Sequence, residues 1–295
     1  MHMLETETGA RVPLKNPLRK MSFEQYVALP GLNWSSLRHM MRSPAHFAAE
    51  RVKRPPTDTD DFRLGRAVHA AVLEPETFDS DFITWTGERR SGNEWKAFSA
   101  SHVGRTVLTM QQTLTANVLA QSVRSSKAAM RYLASGAAEL SMEWNSGVAC
   151  KGRIDWLSAS SPAIVDVKTT KDASPESFFA SAWRLGYHGQ FAWYVDGYER
   201  VTGQRLPFVV IAVEKTHPYV VQVYRVSEAY LELGRELYAS LLDRLRACQR
   251  DGVWPGYSDE ELDLCPPRWA RPSEDEDVEG DLDFGGGTTS STSEE

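Results

Sequence analysis

The chain has almost no cysteine, no long apolar run and, over its last stretch, no positive charge. Its three cysteines, Cys150, Cys248 and Cys265, are widely spaced and odd in number across 295 residues. That excludes a disulfide framework and a four-cysteine metal site, and it fits a reducing, cytoplasmic setting. No run approaches the roughly 20 apolar residues that cross a bilayer, so no membrane partner is expected. The N-terminal "MHMLETETGARVPLK" has no apolar core of the kind a signal peptide carries. After Arg271 there is neither Lys nor Arg, whereas "PSEDEDVEGDLDFGGGTTSSTSEE" holds nine acidic residues. Without that segment 33 basic residues stand against 31 acidic ones, so the formal net charge of −7 belongs to the tail and the body is near neutral. A near-neutral body neither demands nor excludes a polyanionic ligand, because a local basic groove suffices. The Gly/Ser/Thr-rich tail, residues 272–295, is expected to be disordered, an arm that competes for such a groove, recruits a partner or merely solubilises.

What is present is enough apolar material, 41% of residues, for one large core. Residues 1–21 read as a polar, flexible lead, and 22–271 as the folded domain. "SFEQYVALPGLNWSSLRHMMRSPAHFAAERV" reads as a short element, a Pro-Gly turn, a helix opening near Asn33 or Ser35, and a further helix after the break at "RSPAH". "KRPPTDTDD" reads as a loop. "FRLGRAVHAAVLEP" is apolar at 64, 68, 71 and 72, the helical period, and stops at Pro75. Residues 76–105 read as mixed and loop-rich, with a basic cluster in "GERRSGNEWKAF". Two helices follow, the first opening after Thr109. "AELSMEW", "GVACKGRIDWL" and "AIVDVKTT" are strand-like at hairpin spacing. A helical stretch broken at Gly186, two strands in "FVVIAVEKTHPYVVQVYRV" and a long C-terminal helix complete an α/β sandwich without regular βαβ alternation.

Within "GRIDWLSASSPAIVDVKTT", each of two apolar runs carries an aspartate, Asp155 and Asp166, and Lys168 follows two residues after the second. In a strand, Ile164, Asp166 and Lys168 share one face and Val165 and Val167 the other. Asp155, on the neighbouring antiparallel strand, reaches the same side. Two carboxylates there repel and raise each other's pKa unless a cation lies between them. Mg²⁺ suits such a site, with one or two carboxylates and water completing its shell. The lysine would then orient or deprotonate an attacking water and offset phosphate charge. A bare Asp-x-Lys is more often an exposed ion pair on a hairpin, a lone helical histidine such as His69 more often packs than ligates, and Gln190 with Tyr194 at i and i+4 is by itself a packing stripe.

Taken together, "LGRAVH", "GRID", "DVKTT" and "QFAWY" resemble the PDDEXK nuclease superfamily in its RecB-like branch, most of all the RecE (exonuclease VIII)-type phage exonucleases. "LNWSSLRHMMRSPAHF", "RRSGNEWKAF" and the late "WPGY…PPRW" extend the resemblance over about residues 22–270. It implies a restriction-endonuclease-like α/β core, a central mixed sheet flanked by helices. It implies that Asp155, Asp166, His69 and the Val167 carbonyl hold Mg²⁺, with Mn²⁺ as a substitute, and that Lys168 serves the attacking water. Gln190 and Tyr194 match the Q-x-x-x-Y helix lining the DNA-facing side. Glu139 falls where the family carries a glutamate and, with Ser36, Arg38 and Arg66, is assigned to the DNA side.

The resemblance further implies a 5′→3′ exonuclease on linear duplex ends, a ring-like homo-oligomer, a phage or prophage origin in a bacterial host, and a RecT-type annealing protein as partner for the exposed 3′ strand. Three rivals remain. An iron–sulfur RecB-like nuclease needs four cysteine ligands. A catalytically dead DNA-end scaffold has no reason to keep uncompensated charges in its sheet. A site-specific endonuclease lacks a visible recognition module here.

Overall fold

Alternating apolar residues in the second half of the chain build most of one sheet, and helices cover its two faces. The computed structural model describes residues 3–5, 11–13, 17–52 and 59–265. Met1–Gly256 form one compact unit and Tyr257–Glu295 a second. In the second unit, residues 257–265 are exposed and carry neither helix nor strand. The first unit thus ends ahead of Arg271, and the acidic tail 272–295 lies outside the described residues.

Short strands β1 (Met3–Glu5) and β2 (Arg11–Pro13) pair antiparallel, and β3 (Arg19–Lys20) lies at the edge of the main sheet, in a segment that read as featureless. α1 (Phe23–Ala28) opens on a capping box at Ser22, α2 (Trp34–Leu37) on the side chain of Asn33, and α3 (Pro44–Arg51) on Ser43 with proline in its first turn. Thr59 caps α4 (Asp60–Leu73), so Asp60 and Asp61, expected in a loop, occupy the first helical turn, where negative charge is favourable.

The stretch 76–105 departs most from its reading. It contains α5 (Phe78–Asp81), β4 (Phe82–Trp85) and α6 (Gly92–Ser101), and β4 pairs parallel with β5 (Thr106–Thr109). α6 buries none of its residues; Trp95 and Phe98 stack with Trp85 and His102 in a cluster of their own. A helix with no face turned to the core shows little apolar period, which is why it read as loop.

α7 (Met110–Ser125) and α8 (Lys127–Leu133) start on Thr109 and Ser126 caps. β6 (Gly136–Asn145), β7 (Ala149–Ser158) and β8 (Ala163–Thr170) form the expected meander. α9 (Pro175–Arg184) and α10 (Tyr187–Thr202) are parted at Gly186, whose φ of 72° is a conformation glycine adopts at little cost. β9 (Phe208–Glu214), β10 (Val221–Arg225) and α11 (Glu228–Asp251) complete the chain.

The sheet order is β10-β9-β8-β7-β6-β3, with β8 and β9 parallel and the other neighbours antiparallel. Strand alternation sends Ile164, Phe208, Val210 and Ala212 into one core with α10 and α11, and Val165, Val167, Val209 and Ile211 into a second with α4 and α7. Buried Lys151 pins α1 to β7, its ammonium donating to the carbonyls of Tyr26, Val27 and Leu29 at 3.1, 3.1 and 2.7 Å. Those are C-terminal carbonyls of the helix, where a cation is favourable.

Candidate metal centre and active site

The β7–β8 ladder pairs Ser158 with Ala163, Leu157 with Ile164 and Trp156 with Val165, and there it stops. One further pair would set Asp155 opposite Asp166, two like charges face to face, an arrangement a sheet disfavours. The strands part at that point. On the other side of β7, the register pairs Ala138 with Trp156 and Leu140 with Ile154, which puts Glu139 opposite Asp155. Three acidic positions thus cross adjacent strands in one row.

The side-chain alternation also breaks along this row. Ala138 and Trp156 pack into the second core, whereas Met142 and Ile154, at the same parity, lie in the first. Glu139 takes up the change with φ of 58°, a left-handed conformation uncommon for a residue with a side chain. Its carboxylate pairs with Arg153, whose guanidinium lies over the rings of Phe23 and Tyr26. The turn-over opens the carboxylates to both layers of helices.

From the α4 layer comes His69. Its Nε2 lies 2.6 Å from the Val167 carbonyl oxygen and its Nδ1 3.4 Å from Oδ2 of Asp155. A carbonyl only accepts, so Nε2 carries the proton. Burial lowers the imidazole pKa against the pull of Asp166, so the ring is neutral near pH 7 and Nδ1 keeps a lone pair facing the carboxylates. This is how metal-binding histidines are commonly oriented, one nitrogen bonded to a backbone carbonyl and the other free to ligate.

From the α10 layer comes Tyr194, half-buried, its phenol pushed well above its usual range chiefly by desolvation and further by Tyr26, Asp155 and Asp166. The Gln190 side chain, one turn earlier on α10, acts against that rise. Asp166 is 4% exposed. Lys168 Nζ lies 2.7 Å from its Oδ2 as an ion pair, and both Asp166 oxygens are buried. Burial works to lower the Lys168 pKa, but the Asp166 carboxylate, with Tyr187 and Asp155, outweighs it and the ammonium is held charged above its usual range. Burial, then the neighbouring Asp166, push the Asp155 carboxyl well above its ordinary value.

The structure therefore gathers His69, Asp155, Asp166, the Val167 carbonyl, Lys168, Gln190 and Tyr194. Ligand atoms of His69, Asp155 and Asp166 all lie within 4.8 Å of one another. Ser36, Arg38 and Arg66 stand outside these contacts. Ser36 receives the Asn33 cap through its backbone N–H, Arg38 is exposed, and Arg66 donates from α4 to Oγ1 of Thr106 at 3.0 Å. Tyr187 was not singled out for a role by sequence, yet its ring lies 4.9 Å from the Lys168 ammonium. Its only sequence signal is its place one turn before Gln190. Arg153 lies inside the GRID motif but its role was not legible, because its partners come from α1 and β6.

A model of the family described as "PDDEXK-like domain of unknown function (DUF3799)" matches residues 33–266. No curated protein matches the chain. Among solved structures, the chain is similar in fold to a candidate exonuclease from Eubacterium rectale, at 18% identity, over 90% of this chain and 99% of that one, with a TM-score of 0.60.

Proposed function

We propose, from the premise that the chain belongs to the PDDEXK-like DUF3799 family, that it is a metal-dependent nuclease that degrades linear duplex DNA from its ends. The observation that carries this reading is the convergence of His69, Asp155 and Asp166, whose ligand atoms all lie within 4.8 Å of one another. Among the described residues Lys168 is the one ammonium paired with these carboxylates, and a divalent cation between them would relieve their mutual repulsion. The donor set, two carboxylates, a carbonyl and a neutral imidazole, fits a divalent ion such as Mg²⁺ or Mn²⁺. Val167's oxygen already accepts from His69, which leaves one of its lone pairs for an ion.

An ion bound there would polarise the scissile phosphate and lower the pKa of an attacking water. To serve as a ligand Asp155 would release its proton to solvent. Lys168, held as an ammonium, acts as a donor rather than a base: it orients the water and balances charge that develops on the phosphate. Tyr187 covers that ammonium and shields it from solvent. Tyr194, kept protonated by its surroundings, offers a hydroxyl to the substrate on the α10 side, and Gln190 holds its direction.

The finer reading, a RecE-type 5′→3′ exonuclease that exposes 3′ strands for a RecT-type annealing protein, rests on the sequence resemblance. A near-neutral body makes few phosphate contacts and holds duplex weakly at physiological salt. A ring-like homo-oligomer threaded on DNA would overcome this topologically. The test is digestion of 5′- and 3′-labelled linear duplex and of covalently closed circles, with and without Mg²⁺, alongside the solution mass. Loss of linear DNA from 5′ ends by an oligomer supports the reading. Nicking of circles by a monomer would replace it with an endonuclease, and no Mg²⁺-dependent cleavage at all would leave an inactive scaffold.

A further inference from the structure

Among helix-interior glycines of this fold, Gly65 stands apart. Glycine is the poorest helix former after proline, so each one in a helix asks for a reason. Gly189, Gly197 and Gly234 have one: a Cβ there would strike the Trp34 ring, the Trp144 ring and the His188 carbonyl. At Gly65, in the middle of α4, a Cβ would meet nothing within 4 Å among the described residues, and the backbone is ordinary helix. Neither packing nor conformation requires glycine there.

Its position supplies a reason. Gly65 is four residues before His69, on the same helix face. α4 runs alongside β8 in the opposite sense, anchored by His69 on Val167 and by Asp61 on Lys215, whose backbone N–H donates to the Thr170 carbonyl. Four helical residues rise about 6 Å and two strand residues about 6.6 Å, which sets Gly65 level with Thr169. Thr169 is half-buried and, by alternation with Val165 and Val167, turns toward α4. The result is a shallow trough, floored by Gly65 and Thr169, at the carboxyl ends of the parallel strands β8 and β9, where open α/β sheets bind ligands. Arg66 and Lys171, both exposed, give its rim positive charge, Lys215 is paired there with Asp61 at 3.0 Å, and Phe62, 64% exposed, lies further along the same helix face.

We infer that this trough is a binding subsite for the sugar–phosphate backbone next to the scissile phosphodiester, and that Gly65 is glycine so that the backbone can approach the bare helix. The inference rests on the nuclease reading above and names where its substrate runs. Gly65 is a positioning residue; it supplies no reacting group.

The test uses full-length wild type, Gly65→Ala and Gly65→Leu, with linear duplex DNA. Three quantities are measured: thermal midpoint, Mg²⁺-dependent degradation, and metal-free duplex binding by fluorescence anisotropy at low salt. Alanine in an open helical position should keep or raise the midpoint. Degradation should nevertheless fall about tenfold with alanine and about a hundredfold with leucine, as expected when an added side chain keeps the substrate backbone off the helix. The loss should lie mainly in KM and be matched by weaker binding, since the contact is made in ground and transition states alike. Wild-type degradation and binding in both variants would overturn the inference, as would activity lost only in step with a lowered midpoint. If the wild type itself degrades no DNA, the nuclease reading fails separately, and the binding comparison of wild type with Gly65→Leu still decides the trough: tenfold weaker binding upholds it and equal binding overturns it.

Discussion

The two edges of β8 differ along its length. Toward β9 it pairs without interruption from Ile164 to Thr170, and the facing side chains, Val209 to Val213, are apolar and buried. Toward β7 the pairing ends at Val165, just where Asp166 begins the charged stretch. One edge is a closed hydrophobic seam and the other an opened one, and both act on the same few residues. The closed seam holds the Val167 carbonyl, Asp166 and Lys168 in fixed places. The open seam leaves those groups room for an ion and a substrate. The lesson is one of division of labour: a strand can present like charges on one side only because it is anchored on the other.

The largest expected effect comes from emptying the open seam. Asp166→Ala should lower Mg²⁺-dependent degradation by roughly a thousandfold, and EDTA should do the same to the wild type. The substitution relieves the repulsion with Asp155 but strips the Lys168 ammonium of its ion-pair partner, so the two effects oppose and the unfolding temperature of the metal-free protein should change little. Wild-type rates from the variant would show that the charged row is not the reaction centre. Lys168→Ala should share most of the loss in rate while calorimetry finds Mn²⁺ affinity little changed.

Weakening the closed seam should act on the fold first. Ile211, fully buried opposite Val167, becomes a cavity in Ile211→Ala, at a cost of about 2–5 kcal/mol in chemical denaturation. Mg²⁺ binding should survive at low temperature. Equal stability of variant and wild type would mean that β9 does not anchor the site.

A subtler effect separates the two edges by pH. The folded protein holds the Asp155 proton at pH values where an unfolded aspartate has lost it. Above an unfolded pKa of about 4 the native state therefore binds more protons, and the metal-free stability contributed by this group declines as pH rises from there through the folded pKa. Thermal midpoints across that range in EDTA should fall for the wild type and fall less steeply for Asp155→Asn. Parallel slopes would remove Asp155 from the coupled pair.

The smallest effect concerns the cysteines. Cys150 is buried at the paired end of β7, and burial pushes its thiol up to about 11, so alkylation of the native protein at pH 8 should spare it and the buried Cys248. Exposed Cys265 should react alone. Rapid labelling of Cys150 would mean that the β6–β7 seam opens far more readily than its pairing suggests.

Much of this architecture is legible in order along the chain. Asn33 and Thr109 mark helix starts because a side-chain cap is a local bond between near neighbours. The meander is readable because turn residues separate apolar runs of strand length. Asp155, Asp166 and Lys168 stand out because ionisable groups inside apolar runs are costly without compensation. α6 was hidden, since Trp95 and Phe98 pack against Trp85 and not on the core, and β4, which sends Phe82 into the core, is too short to show a period. Tyr187 over Lys168, and Arg153 against Glu139, were hidden because each contact joins elements that the chain brings together only on folding.

By itself, then, the sequence determined the succession of elements, the apolar interior and the identities of the charged groups that the sheet would have to carry. Those depend on local propensities and on burial, which each stretch declares within a few residues of itself. Only the tertiary structure decided that the β7–β8 ladder ends one pair short of the aspartates, that His69 turns Nε2 to Val167 and Nδ1 to Asp155, and that Gly65 faces open space while the other helix-interior glycines are packed. These are distances between residues far apart in the chain, and they are set by how the two helical layers close on a sheet that repulsion between like charges holds apart at one point.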